Sequence, residues 1–103
     1  MKKGILLHEA SDDVGVAAMD LQAGEEVQAV TLEGDLVMQV TPVQDIPLGH
    51  KVAMRDLAVD KHILEYGHVI GRAFAPIAQG AHVHVHNIKS LRWAASKSKV
   101  LVE

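Results

Sequence analysis

The chain has 103 residues, 49% of them apolar, with a formal charge of −3 and a pI near 6.1. That fits one small domain, without the basic face that nucleic acid demands and without an apolar run near 18 residues that would span a bilayer. The absence of cysteine excludes disulfides and thiolate chemistry, makes a cytoplasmic location the default, and leaves His, Asp and Glu as metal ligands.

Only Phe74, Tyr66 and Trp93 are aromatic, so the core must be built from aliphatic residues. A domain this small buries a modest fraction of its surface, and a partner or oligomer would help to stabilise it. The start is basic and then briefly apolar (Ile5-Leu6-Leu7), too short a run for a signal-peptide core. These three residues read as a strand leading to His8-Glu9, and Ala10–Asp13 reads as a turn. Val14–Ala18 resumes strand character; Gly15 between two valines weighs against a helix through Asp12–Gln22. Asp20–Gly24 reads as one helical turn ending at glycine.

Val27–Leu32 and Leu36–Thr41 predict a hairpin around Glu33-Gly34-Asp35, closed by Pro42. Asp45–Lys51 is irregular, punctuated by Pro47 and Gly49. Val52–Arg55, Ile63–Gly67 and Val69–Ala73 read as further strands. The tail beyond Ser90 carries no turn or period signal and suggests docking or partial disorder, with Trp93 a candidate anchor. Three segments echo one another: Ala18–Val27, Met54–Ile63 and Phe74–Val83. Each has an apolar anchor (Leu21, Leu57, Ile77), then Gly24, Asp60 or Gly80, then an apolar residue three further on. Asp60 stands in for glycine because aspartate tolerates a positive φ better than most residues. The expectation is a mainly β fold that uses one turn device, with short helical turns, three times.

The most unusual stretch is Ala81–Asn87, in which His82, His84 and His86 alternate with Val83 and Val85. On a strand the imidazoles share one face. Two readings stand: the solvated face of an edge strand, or a metal-binding face. Alternate residues lie roughly 6.7 Å apart, so two neighbours can reach one ion while three need a bent strand.

Laid out in this order, the chain resembles the SAF domain of the altronate dehydratase family of sugar-acid lyases. The resemblance rests on His8 with Asp12–Ala17, Asp20-Leu21, Gly24, Ile46–Ala53, Asp56-Leu57, Tyr66-Gly67, Ile70-Gly71 and Gly80–Asn87. It departs from the pattern at Asp13, where asparagine is common, at Asp60, where glycine is usual, and at Glu65, where lysine is usual. The resemblance implies a small β-clip domain over residues 1–88, followed by a tail over 89–103. It also implies a subunit or N-terminal domain that works with a large catalytic subunit in metal-dependent β-elimination on hydroxy acids. The leaving group is water in altronate or galactarate, or sulfite in sulfolactate.

Elimination needs a base and something to hold the enolate-like charge, for which a divalent metal such as Fe²⁺ or Mn²⁺, held mainly with the large subunit, is expected. Candidate metal ligands are His82, His84 and His86, with His8 as an outlier. His50 and Lys51 are the candidate catalytic pair, histidine for proton transfer and lysine for an anionic substrate, with a plain turn as the competing reading. Lys51, Tyr66 and Asn87 are candidate substrate-binding residues. Asp12 and Asp13 read as turn formers before ligands, and His62 and His68 as surface. A constellation this incomplete predicts that the isolated chain is inactive. The alternative is a non-catalytic module that caps a partner's active site or drives oligomerisation.

Overall fold

The computed structural model describes residues 1–83 and 88–89. Nine strands are formed among them: β1 (Lys3–Leu7), β2 (Val14–Ala17), β3 (Val27–Thr31), β4 (Leu36–Val40), β5 (Lys51–Ala53), β6 (His62–Glu65), β7 (His68–Ala73), β8 (His82–Val83) and β9 (Ile88–Lys89). They make a six-stranded sheet in the order β4-β3-β1-β2-β5-β8 and a three-stranded sheet in the order β6-β7-β9. Every pairing is antiparallel except β1 with β3. The fold is mainly β, as expected, and no helix among the described residues is long and apolar enough to cross a membrane.

The hairpin expected around Glu33-Gly34-Asp35 is β3–β4. Its loop is closed by the Asp35 N–H donating to Thr31 Oγ1 and the Gly34 N–H donating to the Thr31 carbonyl. Gly15 is needed for closeness rather than for flexibility. A Cβ there would stand 2.6 Å from Ile5 Cγ2 on the neighbouring strand.

Strand alternation sorts the large sheet into two apolar faces. Ile5, Ala17, Ala29 and Val52 point to one side and join Leu21, Val27, Val40, Ile46 and Met54 in the first core. Val14, Ala53 and Val83 point to the other side and join Leu57, Ile63, Ala73 and Ile77 in the second. Each face is closed by a pair of loops that meet in a single antiparallel bridge: Leu21 with Ile46 on the first, Leu57 with Ile77 on the second. Each of these four side chains is at most 3% exposed. A buried leucine or isoleucine stabilises by roughly 1.5–3 kcal/mol, so the two loop pairs are a large part of what holds the small domain shut.

The turn device seen three times in the sequence therefore occurs four times, at 18–24, 43–49, 54–60 and 74–80. The fourth occurrence is Val43–Gly49, read from the sequence as irregular. Its neighbours are extended up to the bridge residue and then reverse through a positive φ, at Gly24, Gly49, Asp60 and Gly80. Asp60, with φ 70°, fills the glycine position as anticipated. The expected short helical turns are instead a bridge followed by a tight turn, because the bridging residue spends its N–H and C=O on the partner loop. In the first pair the aspartates before the anchors exchange bonds: the Leu48 N–H donates to Asp20 Oδ1 and the Ala23 N–H to Asp45 Oδ1. In the second pair Asp56 accepts from the Gln79 N–H, while Pro76 holds the position that would reciprocate.

Candidate functional site

The site residues radiate from β5. Lys51 is in register with Val16 on one side and Val83 on the other, whereas Val52 is in register with Gly15 and His82. His50, one residue before Lys51, therefore shares its direction with Val52 and His82, and Lys51 points the opposite way. The two residues expected to act together lie on opposite faces of one short strand.

On the first face, His50 Nδ1 and His82 Nε2 are 2.9 Å apart, with ring centroids separated by 5.0 Å and planes tilted by 45°. At that distance one ring nitrogen donates to the other, the direction set by the tautomers of the two rings. Both backbones are fixed nearby: the His50 N–H donates to the Pro47 carbonyl, and the His82 N–H to Gln44 Oε1. Both anchors come from the loop at 43–49. That loop thus both closes the first core and positions the imidazole pair.

On the second face a cleft of about 230 Å³ is lined by Leu6, Leu7, His8, Val14, Val16, Leu32, Glu65 and Tyr66. Tyr66 and Gly67 form the two-residue turn between β6 and β7, with φ of 58° and 73°. Such a turn needs positive φ at both central positions, a conformation that is uncommon for a bulky side chain. Asp12 supplies the compensation: its carboxylate accepts the N–H groups of Tyr66 and Gly67 at 3.0 and 3.1 Å, and also that of Glu9 at 3.1 Å. The same carboxylate thereby ties the segment after His8 to the turn that presents Tyr66. The two rings meet edge to face with centroids 4.7 Å apart.

Glu65, only 4% exposed, closes the floor of this cleft and pairs with the Lys51 ammonium at 3.5 Å. Burial raises its carboxyl pKa above the ordinary 4.5; Lys51 pulls it back, and the Asp12 carboxylate pushes it up further. Asp13, 2% exposed, accepts the Leu64 N–H at 2.9 Å and pairs with Arg55 at 2.6 Å and Lys61 at 3.3 Å. Asp12 ties the local turn by accepting the Glu9 N–H, whereas the Asp13 carboxylate, read as a turn former, bonds only residues distant in sequence; both clamp the seam between the two sheets. Asp13 needs its carboxylate here, because two cations converge on it.

Of the residues singled out from the sequence, His50 and His82 come together, and so do His8 and Tyr66. Lys51 meets Glu65, the departure from the family pattern that is expected to alter the charge near a substrate carboxylate. His8 lines the cleft, on the face away from the imidazole pair. His84, His86 and Asn87 lie outside the described residues. Among the described residues no group of three or more His, Asp or Glu is placed to hold a metal ion. His62 and His68 are exposed, as anticipated.

Comparison with known proteins agrees with this picture. The model of the altronate/galactarate dehydratase SAF domain matches residues 2–91. The chain is 40% identical to (2R)-sulfolactate sulfo-lyase subunit alpha of Chromohalobacter salexigens, over 90% of this chain and 100% of that protein. It is also 42% identical to the altronate dehydratase of Escherichia coli and 36% identical to that of Bacillus subtilis, over 79% and 87% of this chain. Those matches span only 15% and 17% of the two dehydratases. With the family model spanning nearly the whole sequence, the chain belongs to the altronate/galactarate dehydratase SAF domain family.

Proposed function

We propose that the chain is the small subunit of a lyase that removes sulfite or water from a hydroxy acid by β-elimination, in complex with a larger catalytic subunit. The observation that carries this reading is the 40% identity to a protein named as subunit alpha of a sulfolactate sulfo-lyase, together with membership of the dehydratase SAF family. Turnover in such a complex needs a proton acceptor and a cation for the substrate carboxylate. Lys51 suits the second task, with Tyr66 and His8 as a wall beside it, and the first falls to a group of the large subunit, because His50 lies on the opposite face of β5.

A divalent ion is the natural companion of this chemistry, and when bound it would hold the enolate-like charge. On the face of β5 opposite Lys51, His50 Nδ1 and His82 Nε2, 2.9 Å apart, are two donors that could hold such an ion. His84 and His86, or groups of the large subunit, would complete such a set, while His8 belongs to the cleft.

The test is co-expression with the adjacent large-subunit reading frame and assay of sulfolactate, altronate and galactarate elimination. The expected result is activity in the complex and none in the isolated chain with Fe²⁺, Mn²⁺ or Zn²⁺ added. Turnover by the chain alone would refute the subunit reading. For the donors, the double variant His50→Ala/His82→Ala should bind Fe²⁺, Mn²⁺ or Zn²⁺ more weakly than the parent; equal affinity removes the pair from the site.

A second reading, a capping or assembly module, is favoured by Leu32 and Leu36, which are 60% and 55% exposed on the β3–β4 hairpin. It predicts that a complex containing His50→Ala or Lys51→Ala keeps its kcat. The lyase reading predicts at least a roughly tenfold loss of kcat for Lys51→Ala, because a carboxylate that is no longer held leaves the reacting carbon unoriented.

A further inference from the structure

Glu65 is the described residue whose position the proposed chemistry leaves unexplained. It is an acid with 4% exposure in a mostly apolar cleft whose other polar lining is His8 and Tyr66, beside the lysine assigned to bind an anion. A carboxylate is expensive to keep in such a place without a cation. The groups that face it are Lys51 from β5, Asp12 from the turn after β1, His8 from the end of β1, the adjacent Tyr66, and His68 across the hairpin. Glu9 lies over Gly67 in the same corner. Asp12 adds unfavourable charge, and Lys51 is the compensating cation. Their separation of 3.5 Å is long for a hydrogen bond. The Lys51 side chain is 40% exposed and carries its ammonium on a flexible four-carbon stem, so the cation can leave at low cost.

We propose that Glu65 is the internal counter-charge of Lys51, and that it takes up a proton from solvent whenever an anionic ligand draws the ammonium away. This rests on the reading that Lys51 binds the substrate carboxylate. The consequence is specific. An anion and the Glu65 carboxylate compete for one cation, and the loser is neutralised rather than left bare in an apolar wall. Anion binding then carries about one proton with it, and above the Glu65 midpoint the Kd rises by up to roughly tenfold per pH unit. Glu65 is thus a positioning residue: it holds Lys51 in place when the site is empty and weakens anion binding by competing for the same cation.

Two measurements test this. In the full chain, carbon-13 titration of the glutamate carboxyls should show the Glu65 midpoint rising by at least one pH unit in Lys51→Met, with the remaining signals unmoved. An unchanged midpoint overturns the proposal, because Lys51 would then not be holding the charge. In the complex with the large subunit, calorimetry with sulfolactate in two buffers of unequal ionisation heat should give uptake of about one proton. Glu65→Gln should bind with no uptake and with a Kd independent of pH over the same range. Binding by the parent without proton uptake overturns the proposal while leaving the anion reading intact. Undiminished binding by Lys51→Met overturns both.

Discussion

The two halves of the molecule use the same device and treat charge in opposite ways. Around Leu21 and Ile46 the loops exchange aspartate bonds at their exposed rims, and the core beneath is purely aliphatic. Around Leu57 and Ile77 the exchange is incomplete, and three nearly fully buried carboxylates, Asp12, Asp13 and Glu65, line the seam to the second sheet. Each of the three holds the β6–β7 hairpin or a residue that meets it. The first half is a closure. The second spends similar apolar burial on fixing a strained turn, and that turn is where Tyr66 and the cleft are found. The cleft proposed to receive substrate lies in this half, while the 43–49 loop of the first half seats the His50–His82 pair.

If the loop pairs are equivalent, truncating their anchors should cost the same. Leu21→Ala and Leu57→Ala should each lose about 2–5 kcal/mol in denaturant unfolding, and the two values should agree within about 1 kcal/mol. A large inequality would show that only one pair carries the closure. Next in size, Asp12→Ala strands the N–H groups of Glu9, Tyr66 and Gly67, two of them in a positive-φ turn. A loss of about 2–3 kcal/mol is expected. Asp20→Ala, which frees one exposed N–H in the first half, should lose only about 1 kcal/mol. Equal losses would erase the contrast between the halves. Tyr66→Asn should go the other way, gaining roughly 1 kcal/mol because Asn-Gly suits this turn, while removing the ring that meets His8. The complex carrying it should be more stable and bind substrate more weakly. A variant that improves both would make the strain at Tyr66 incidental.

Much of the fold is legible residue by residue, and the misses have causes. The β3–β4 hairpin follows from β-branched runs around a glycine loop, and Asp60 can be read as a glycine substitute from its place in the echoed segment. The copy at Val43–Gly49 was hidden by Pro47, which reads as a breaker. Its signal was present as Asp45-Ile46 followed by Gly49, the spacing of Asp20-Leu21 to Gly24 and of Asp56-Leu57 to Asp60. The turn at Tyr66 reads as strand because Ile63-Leu64 and Val69-Ile70 flank it and no local propensity places tyrosine at positive φ. What holds it there is Asp12, 54 residues away. The same distance problem governs the site. The residue types of His50, Lys51 and His82 invite attention in sequence, but the contact between His50 and His82 spans 32 residues, and the choice of Glu65 as partner for Lys51 depends on how two sheets meet.

The smallest effect separates the halves by pH. Glu65 is a buried acid whose folded-state pKa lies above its ordinary value, desolvation outweighing the attraction of Lys51. A carboxyl with a raised folded pKa binds its proton more tightly folded than unfolded. Its stabilising contribution is therefore complete below the ordinary value of 4.5 and is lost as pH rises through the folded pKa. Glu65→Gln cannot titrate, so it removes this dependence. The parent should lose stability relative to Glu65→Gln as pH is raised from 4 to 7, and the difference in unfolding midpoint should grow along that interval. Asp45→Asn, on the exposed rim of the first half, should track the parent throughout. A gap between parent and Glu65→Gln that stays constant with pH would mean that Lys51 fully offsets burial at Glu65. The second half would then hold its charges as quietly as the first excludes them.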